Sequence, residues 1–304
     1  MKTKKASQKP QIGSKTWKSK TFLFIFFAFC LFVFFFGIGV KPQVYKETEN
    51  KELNNYHLAC PYSTGDYQLT ATGSALNQKV QAKAVIVSHH LLARDLIGDT
   101  LGRVANDYQT IILIGPNHFN LGLHPLQTTN YSFKTKFGHL EPNQEIIDKL
   151  VEEKIASIHD ENFSNEHSIC SLVSFVKIYF PDAKIVPIIL KGNASLEKTR
   201  ELASFLAQNC HQKCLFIASL DFSHDVSPCQ AKSNDQQSAQ ILKNLEQENL
   251  HKVICDSIPT LQVLTGYLKE KGVINGEIIH NSDSNELSQQ NLPTVTSYLM
   301  MILK

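Results

Sequence analysis

Four uninterrupted apolar runs punctuate the chain: "AVIVS" (84–88), "TIILIG" (110–115), "AKIVPIIL" (183–190) and "CLFIASL" (214–220). A strand covered on both faces needs no polar alternation, so runs of this length predict buried strands, parallel ones above all. Between them the apolar positions switch to helical spacing, which predicts helices over 91–106, 143–155, 168–180 and 195–209. Ile146, Ile147, Leu150 and Val151 share one face, Pro181 stops the third helix, and Ser195 is a candidate N-cap. Two more helices are expected near 233–250 and 258–271, followed by closing strands near 276–281 and 294–303. Strands alternating with helices argue for an α/β class: a mixed, largely parallel sheet flanked by helices.

The first fifty residues follow a different pattern. Thr21 to Val40 carry no charge and hold nine of the chain's 18 Phe. Twenty helical residues extend about 30 Å, the thickness of a bilayer core, so this stretch is expected to be one transmembrane helix. The run is longer than a typical signal-peptide core and "GIGVKPQ" is a poor cleavage site, which favours an uncleaved anchor. Lysines 2, 4, 5, 9, 15, 18 and 20 precede it without an acid among them. The positive-inside bias then predicts a single-pass membrane protein with a cytoplasmic N-terminus and an extracytoplasmic main domain. The implied organisation is a basic tail (1–20), the span (21–40), a polar linker (41–55) and one α/β domain (56–304).

Charge changes meaning once the tail is set apart. The seven tail lysines exceed the whole chain's net charge of +2, so the remainder is acidic. No basic patch interleaved with aromatics remains there, and nucleic acid is excluded as an expected partner. Cys60, Cys170, Cys210, Cys214, Cys229 and Cys255 lie beyond the span, and six cysteines could pair in 15 ways. "CHQKC" (210–214) is either a local bridge or two buried thiols, and its spacing is not that of a zinc ribbon.

The candidate chemistry lies where the strands end. "SHH" (Ser88, His89, His90) closes the first run, "GPNHF" with His118 closes the second through an expected Gly-Pro turn, and "SLDFSHD" (Asp221, His224, Asp225) closes the fourth. The carboxyl ends of strands form the binding edge of open α/β sheets, so histidines at three such ends mark a site. "SNEHSIC" places Glu166 and His167 at a helix start, where the carboxylate can cap. "HKVICDSIP" places Cys255 just before another helix, a position that favours a thiolate.

The order "VIVSHH", "ILIGPNHF", "NEHSI", "KIVPIIL", "ASLDFSH" and "VICDSIP" resembles the Memo family, whose bacterial members are often named AmmeMemoRadiSam system protein B. The resemblance covers about 83–303. It implies a fold similar to class III extradiol dioxygenases and a metal pocket whose ligands fall on His89, His118 and Cys255. It places Glu166, His167, Asp221 and His224 along the same pocket. It also implies AmmeMemoRadiSam components as partners. Several positions depart from the family pattern: Leu91 and Leu92 follow the first histidines without the usual glycine, Asn117 and Phe119 flank His118, and Thr135 to Gly138 read "TKFG".

Two imidazoles and one thiolate suit iron or copper, with zinc as a further option, and three protein ligands leave room for a small-molecule substrate. His224 and His167 are the candidate proton carriers and Asp221 the candidate orienting group, with His90 and Asp225 as neighbouring alternates. The leading expectation is a membrane-anchored metal-dependent redox or oxygenase-type protein. The alternatives are a non-catalytic metal-binding or interaction module, and a hydrolase using Cys255 as nucleophile.

Overall fold

The four apolar runs form the contiguous centre of one sheet. A computed structural model describes residues 57–67, 79–211 and 213–304, all within the unit Asn54–Lys304. Its strands are β1 (His57–Ala59), β2 (Ala84–Val87), β3 (Thr110–Pro116), β4 (Leu126–Thr128), β5 (Ser132–Thr135), β6 (Gly138–Leu140), β7 (Ser157–Ile158), β8 (Lys184–Leu190), β9 (Cys214–Ser219), β10 (Gly276–Asp283) and β11 (Ser297–Leu303). The α-helices are α1 (Arg94–Gly102), α2 (Gln144–Glu152), α3 (His167–Tyr179), α4 (Leu196–Asn209), α5 (Pro228–Lys243), α6 (Ile258–Glu270) and α7 (Ser284–Ser288).

Eight strands pair in the order β10-β11-β2-β9-β3-β8-β4-β7. β2, β9, β3 and β8 run parallel to one another, while β11 joins β2, β10 joins β11 and β4 joins β8 in antiparallel fashion. Successive side chains of a strand point to opposite faces. Ile112 and Ile114 accordingly enter one core layer with Leu202, Leu206, Leu261 and Leu264 of α4 and α6. Ile111 and Leu113 enter the other with Val173 and Val176 of α3. Each fully buried side chain of this size contributes about 1.5–3 kcal/mol relative to exposure, which is why 84–87, 111–114, 185–190 and 215–218 carry no polar residue.

Helix starts follow capping chemistry. Asn143, Ser195, Ser227 and Ser257 each precede a helix and accept a backbone N–H of its first turn. α3 is an exception in another respect: Ser168 through Val176 are all buried, because it packs against β3 on one side and against β5 and β6 of a separate three-stranded sheet on the other. That small sheet, ordered β1-β5-β6, was not expected from the sequence. Its strands of three or four residues carry too few positions to display a period.

Among the described residues there are two disulfides, Cys60–Cys170 and Cys210–Cys214, with Cα separations of 5.2 and 5.7 Å. The "CHQKC" segment is therefore a local bridge, and Cys229 and Cys255 are free thiols.

The expected fold class needs one correction. Among the described residues no helix is long and apolar enough to cross a membrane. The expected span, Thr21–Val40, lies outside the described residues, as do the tail and linker. The described residues form a mixed α/β fold with no helix of that kind among them, so the transmembrane helix and the single-pass membrane localisation inferred from it are not supported.

Candidate metal centre

β3 runs through Gly115 and Pro116 instead of turning there, as the sequence suggested. Pro116 still pairs with Leu190, and the Asn117 N–H donates to the Leu190 carbonyl at 2.8 Å. Gly115 is there for another reason: a Cβ on it would stand 2.6 Å from the Cβ of Ser168. Its absence lets the first turn of α3 press onto the strand, where the Ser168 hydroxyl donates to the Pro116 carbonyl at 2.8 Å. The turn itself comes from Asn117, whose side chain exchanges hydrogen bonds with the backbone of Leu121 at 3.0 and 3.1 Å.

This contact sets His118 against the N-terminus of α3. Glu166 caps that helix through the Ser168 N–H at 3.0 Å and is 1% exposed. Its carboxylate also takes the His118 backbone N–H at 2.9 Å and approaches His118 Nδ1 at 2.7 Å. An ionised carboxylate only accepts, so Nδ1 carries a proton and Nε2 is the nitrogen that faces the centre. His89, at the end of β2, is fixed in the same sense by a different device. Ser219 Oγ donates its one proton to the Ser168 carbonyl at 2.6 Å, so it can only accept from His89 Nδ1 at 3.0 Å. Both histidines thus present Nε2, the arrangement that outer partners impose on metal-binding imidazoles.

His167, the first residue of α3, stacks on His118 with ring centroids 3.8 Å apart. The rings of His118 and His167 lie 5.0 and 5.2 Å from that of His89. One ligand atom from each of the three can lie within 4.8 Å of the others, and the same holds for His89, Asp221 and Asp256. Asp221 Oδ2 stands 3.4 Å and Asp256 Oδ2 3.3 Å from His89 Nε2, and Asp256 Oδ2 is 3.7 Å from His118 Nε2. Asp221 is steadied by the Ser88 hydroxyl, which donates to its Oδ1. Asp256 is clamped to the segment that follows β9 by reciprocal bonds, the Asp221 N–H to its Oδ2 at 3.1 Å and its own N–H to the Asp221 carbonyl at 3.0 Å.

The fields of these groups are uneven. Burial disfavours a charge on His118, but the carboxylates of Asp256 and Glu166 outweigh it and raise its pKa to about 9. Burial lowers His167 to about 4, and the neighbouring His118 and His89 act in the same direction. Asp256 Oδ1 is buried with no hydrogen-bond partner in the protein. Donors bound to one ion at roughly 2.0–2.2 Å stand about 3.0–3.7 Å apart for angles between a right angle and about 120°. The spacings around His89 Nε2 and His118 Nε2 fall in that range, whereas charge-assisted hydrogen bonds shorten to about 2.7–2.9 Å. The residues present therefore fit a metal ion.

The expected site residues divide. His89, His118, His167, Asp221 and Glu166 come together. His224 is exposed, and its charge acts on His90 rather than on the trio. Cys255 packs against the apolar core below the site and enters neither group of candidate ligands among the described residues. Burial, together with the negative Asp256, pushes its thiol pKa well up. Asp256, Ser219 and Ser168 were missed. Asp256 stands beside Cys255 in "VICDSIP", where no local pattern separates the carboxylate from the thiol, and the two serines have no sequence signal beyond standing near site residues.

The profile of the Memo-like protein family matches residues 64–302. The chain belongs to this family. A MEMO1 family protein of Pyrobaculum aerophilum is 28% identical over 197 residues, covering 60% of this chain and 69% of the relative. A MEMO1 family protein of Methanosarcina barkeri is 27% identical over 206 residues, covering 64% and 76%. The crystal structure of an uncharacterized Escherichia coli K12 protein aligns with a TM-score of 0.46 at 12% identity, over 72% of this chain and 99% of that one. In this Memo-like chain the six sequence motifs all fall within the matched residues.

Proposed function

We propose that this Memo-like protein binds a single metal ion at the carboxyl edge of β2, β3 and β9 and uses it for redox or oxygenase-type chemistry on a small molecule. The observation that carries this reading is the pair of Nε2 atoms of His89 and His118, each with its Nδ1–H held by a dedicated acceptor. His89 and His118 hold the ion, and the 255–256 segment supplies the third donor. The ion supplies Lewis acidity or an electron when bound; iron, copper and zinc all accept imidazole ligands.

The chain's own residues then have distinct tasks. Ser219 and Glu166 orient the two ligand rings, and Asp221 supports the negative side of the centre. His167 is 40% exposed in its side chain and stacked beside His118, so it borders both the centre and solvent. A neutral imidazole in that position can take a proton from a bound molecule. Metal content of the purified full chain tests the reading: about one ion per chain for wild type and near zero for His118→Ala. Equal content in the two would overturn it.

A further inference from the structure

Arg94 is a half-buried cation without a counter-ion. Its Nε is buried with no hydrogen-bond partner, and among the described residues it enters no ion pair. Arg103, at the end of the same helix, shows the ordinary outcome: its Nε and Nη2 both hold Asp99, each at 2.8 Å. We propose that Arg94 anchors the carboxylate of a small-molecule substrate at the same edge of the sheet as the histidines. The proposal deepens the reading above and rests on it for the chemistry performed there.

Local structure places the group. β2 ends at Val87, and after Ser88, His89 and His90 the chain passes through a 3-10 turn, Leu91–Ala93, into α1 with Arg94 as its first residue. Two extended steps and three steps of about 2.0 Å keep the Cα atoms of His89 and Arg94 within about 13 Å. Ile97, Gly98 and Leu101 are buried on α1, and Arg94 precedes them at helical spacing, on that same face. Helical side chains lean toward the amino end of their helix. For the first residue of α1 that direction leads past the helix start, toward the carboxyl edge where β2 ends.

An unfilled guanidinium is costly there. A buried N–H without an acceptor loses its water and gains nothing in return, and the loss is larger for a charged group. Departures of this kind from local consistency concentrate at functional sites. The ligand class follows from the shape of the group: Nε–H and one Nη–H form a fork that matches the two oxygens of a carboxylate in one plane. The stretch 84–102, from β2 through α1, brings no other lysine or arginine, and a single planar fork favours a carboxylate over a phosphate.

Binding of benzoate to the full chain, followed by saturation-transfer NMR, tests the assignment, with benzyl alcohol and inorganic phosphate as comparison probes. Wild type is expected to bind benzoate with a Kd on the order of 1 mM and benzyl alcohol at least about 10-fold more weakly. Arg94→Gln is expected to weaken benzoate binding about 10- to 100-fold, and Arg94→Lys to recover only part of the loss because it lacks the fork. Urea unfolding separates this role from a structural one: Arg94→Met should unfold at the wild-type urea midpoint or above it, since no bond within the protein is removed. Unchanged benzoate binding in Arg94→Gln, no saturable benzoate binding by wild type, phosphate bound more tightly than benzoate, or a lower midpoint in Arg94→Met would each overturn the proposal. Metal content is read in parallel: Arg94→Gln keeps the wild-type content, whereas retention of metal by His118→Ala would sink the metal reading and leave the carboxylate site standing.

Discussion

The two edges of the same sheet treat their polar groups in opposite ways. At the amino ends of β3, β8 and β9 every named polar group finds a local partner. The Asn143 amide donates to the Thr110 hydroxyl at 2.8 Å, the Gln109 N–H to the Lys213 carbonyl at 2.8 Å, and the Lys271 ammonium caps the Ala207 and Cys210 carbonyls at 2.6 Å. The short Cys210–Cys214 bridge closes that end. At the carboxyl ends the outer atoms are equally well satisfied, but the inner ones, two Nε2 atoms and the oxygens of Asp221 and Asp256, converge on one another at 3.3 to 3.7 Å. A self-sufficient edge builds a fold; an edge whose titratable groups converge can hold something added.

The two disulfides give the largest expected contrast between the edges. Loop-closure scaling gives about 4–5 kcal/mol for a bridge spanning 110 residues and about 2 kcal/mol for one spanning 4. Urea unfolding of the two double Cys→Ser variants should reproduce that ratio. Equal losses would mean that loop length does not set the relative stabilisation by the two bridges.

His118→Ala should lower metal affinity at least about 100-fold, by the loss of a direct ligand. Asn143→Ala at the other edge should leave metal content unchanged and cost about 1 kcal/mol of stability through the lost cap. Metal loss in both variants would erase the functional distinction between the edges.

A buried carboxylate away from the centre provides the control for those within it. Asp235 accepts from the Ser297 hydroxyl at 2.7 Å, and burial raises its pKa from 3.8 to about 6. Folding therefore favours its protonated form: this contribution is fully present below pH 3.8 and is lost as pH rises through about 6. Asp235→Asn should gain about 2 kcal/mol over wild type at pH 8 and little at pH 4. Matching unfolding curves at the two pH values would remove the burial argument.

Ser219→Ala is expected to have the smallest effect, roughly a 10-fold weaker metal affinity, because it removes only the acceptor that orients His89. No change in affinity would show that packing alone holds that ring.

Much of the fold was legible because burial on both faces forces an unbroken apolar run. The four such runs became β2, β3, β8 and β9, the adjacent centre of the sheet. The capping serines and Pro181 placed helix ends to within a few residues. The short strands β1 and β4 to β7 were not legible, since two to four residues show no period. Gly115 was read as a turn signal, whereas the contact with Ser168 that requires it joins residues 53 apart in the chain.

The sequence by itself determined that histidines stand at the ends of several core strands and that Glu166 and His167 open a helix, because these facts depend only on local pattern. Tertiary structure alone decided which of those groups meet. Asp256 reaches His89 through the clamp to the segment that follows β9, Cys255 faces the core, and His224 is left in solvent. Two adjacent residues can differ wholly in what they touch, and only the packing of α6 against the sheet settles which of them faces the centre.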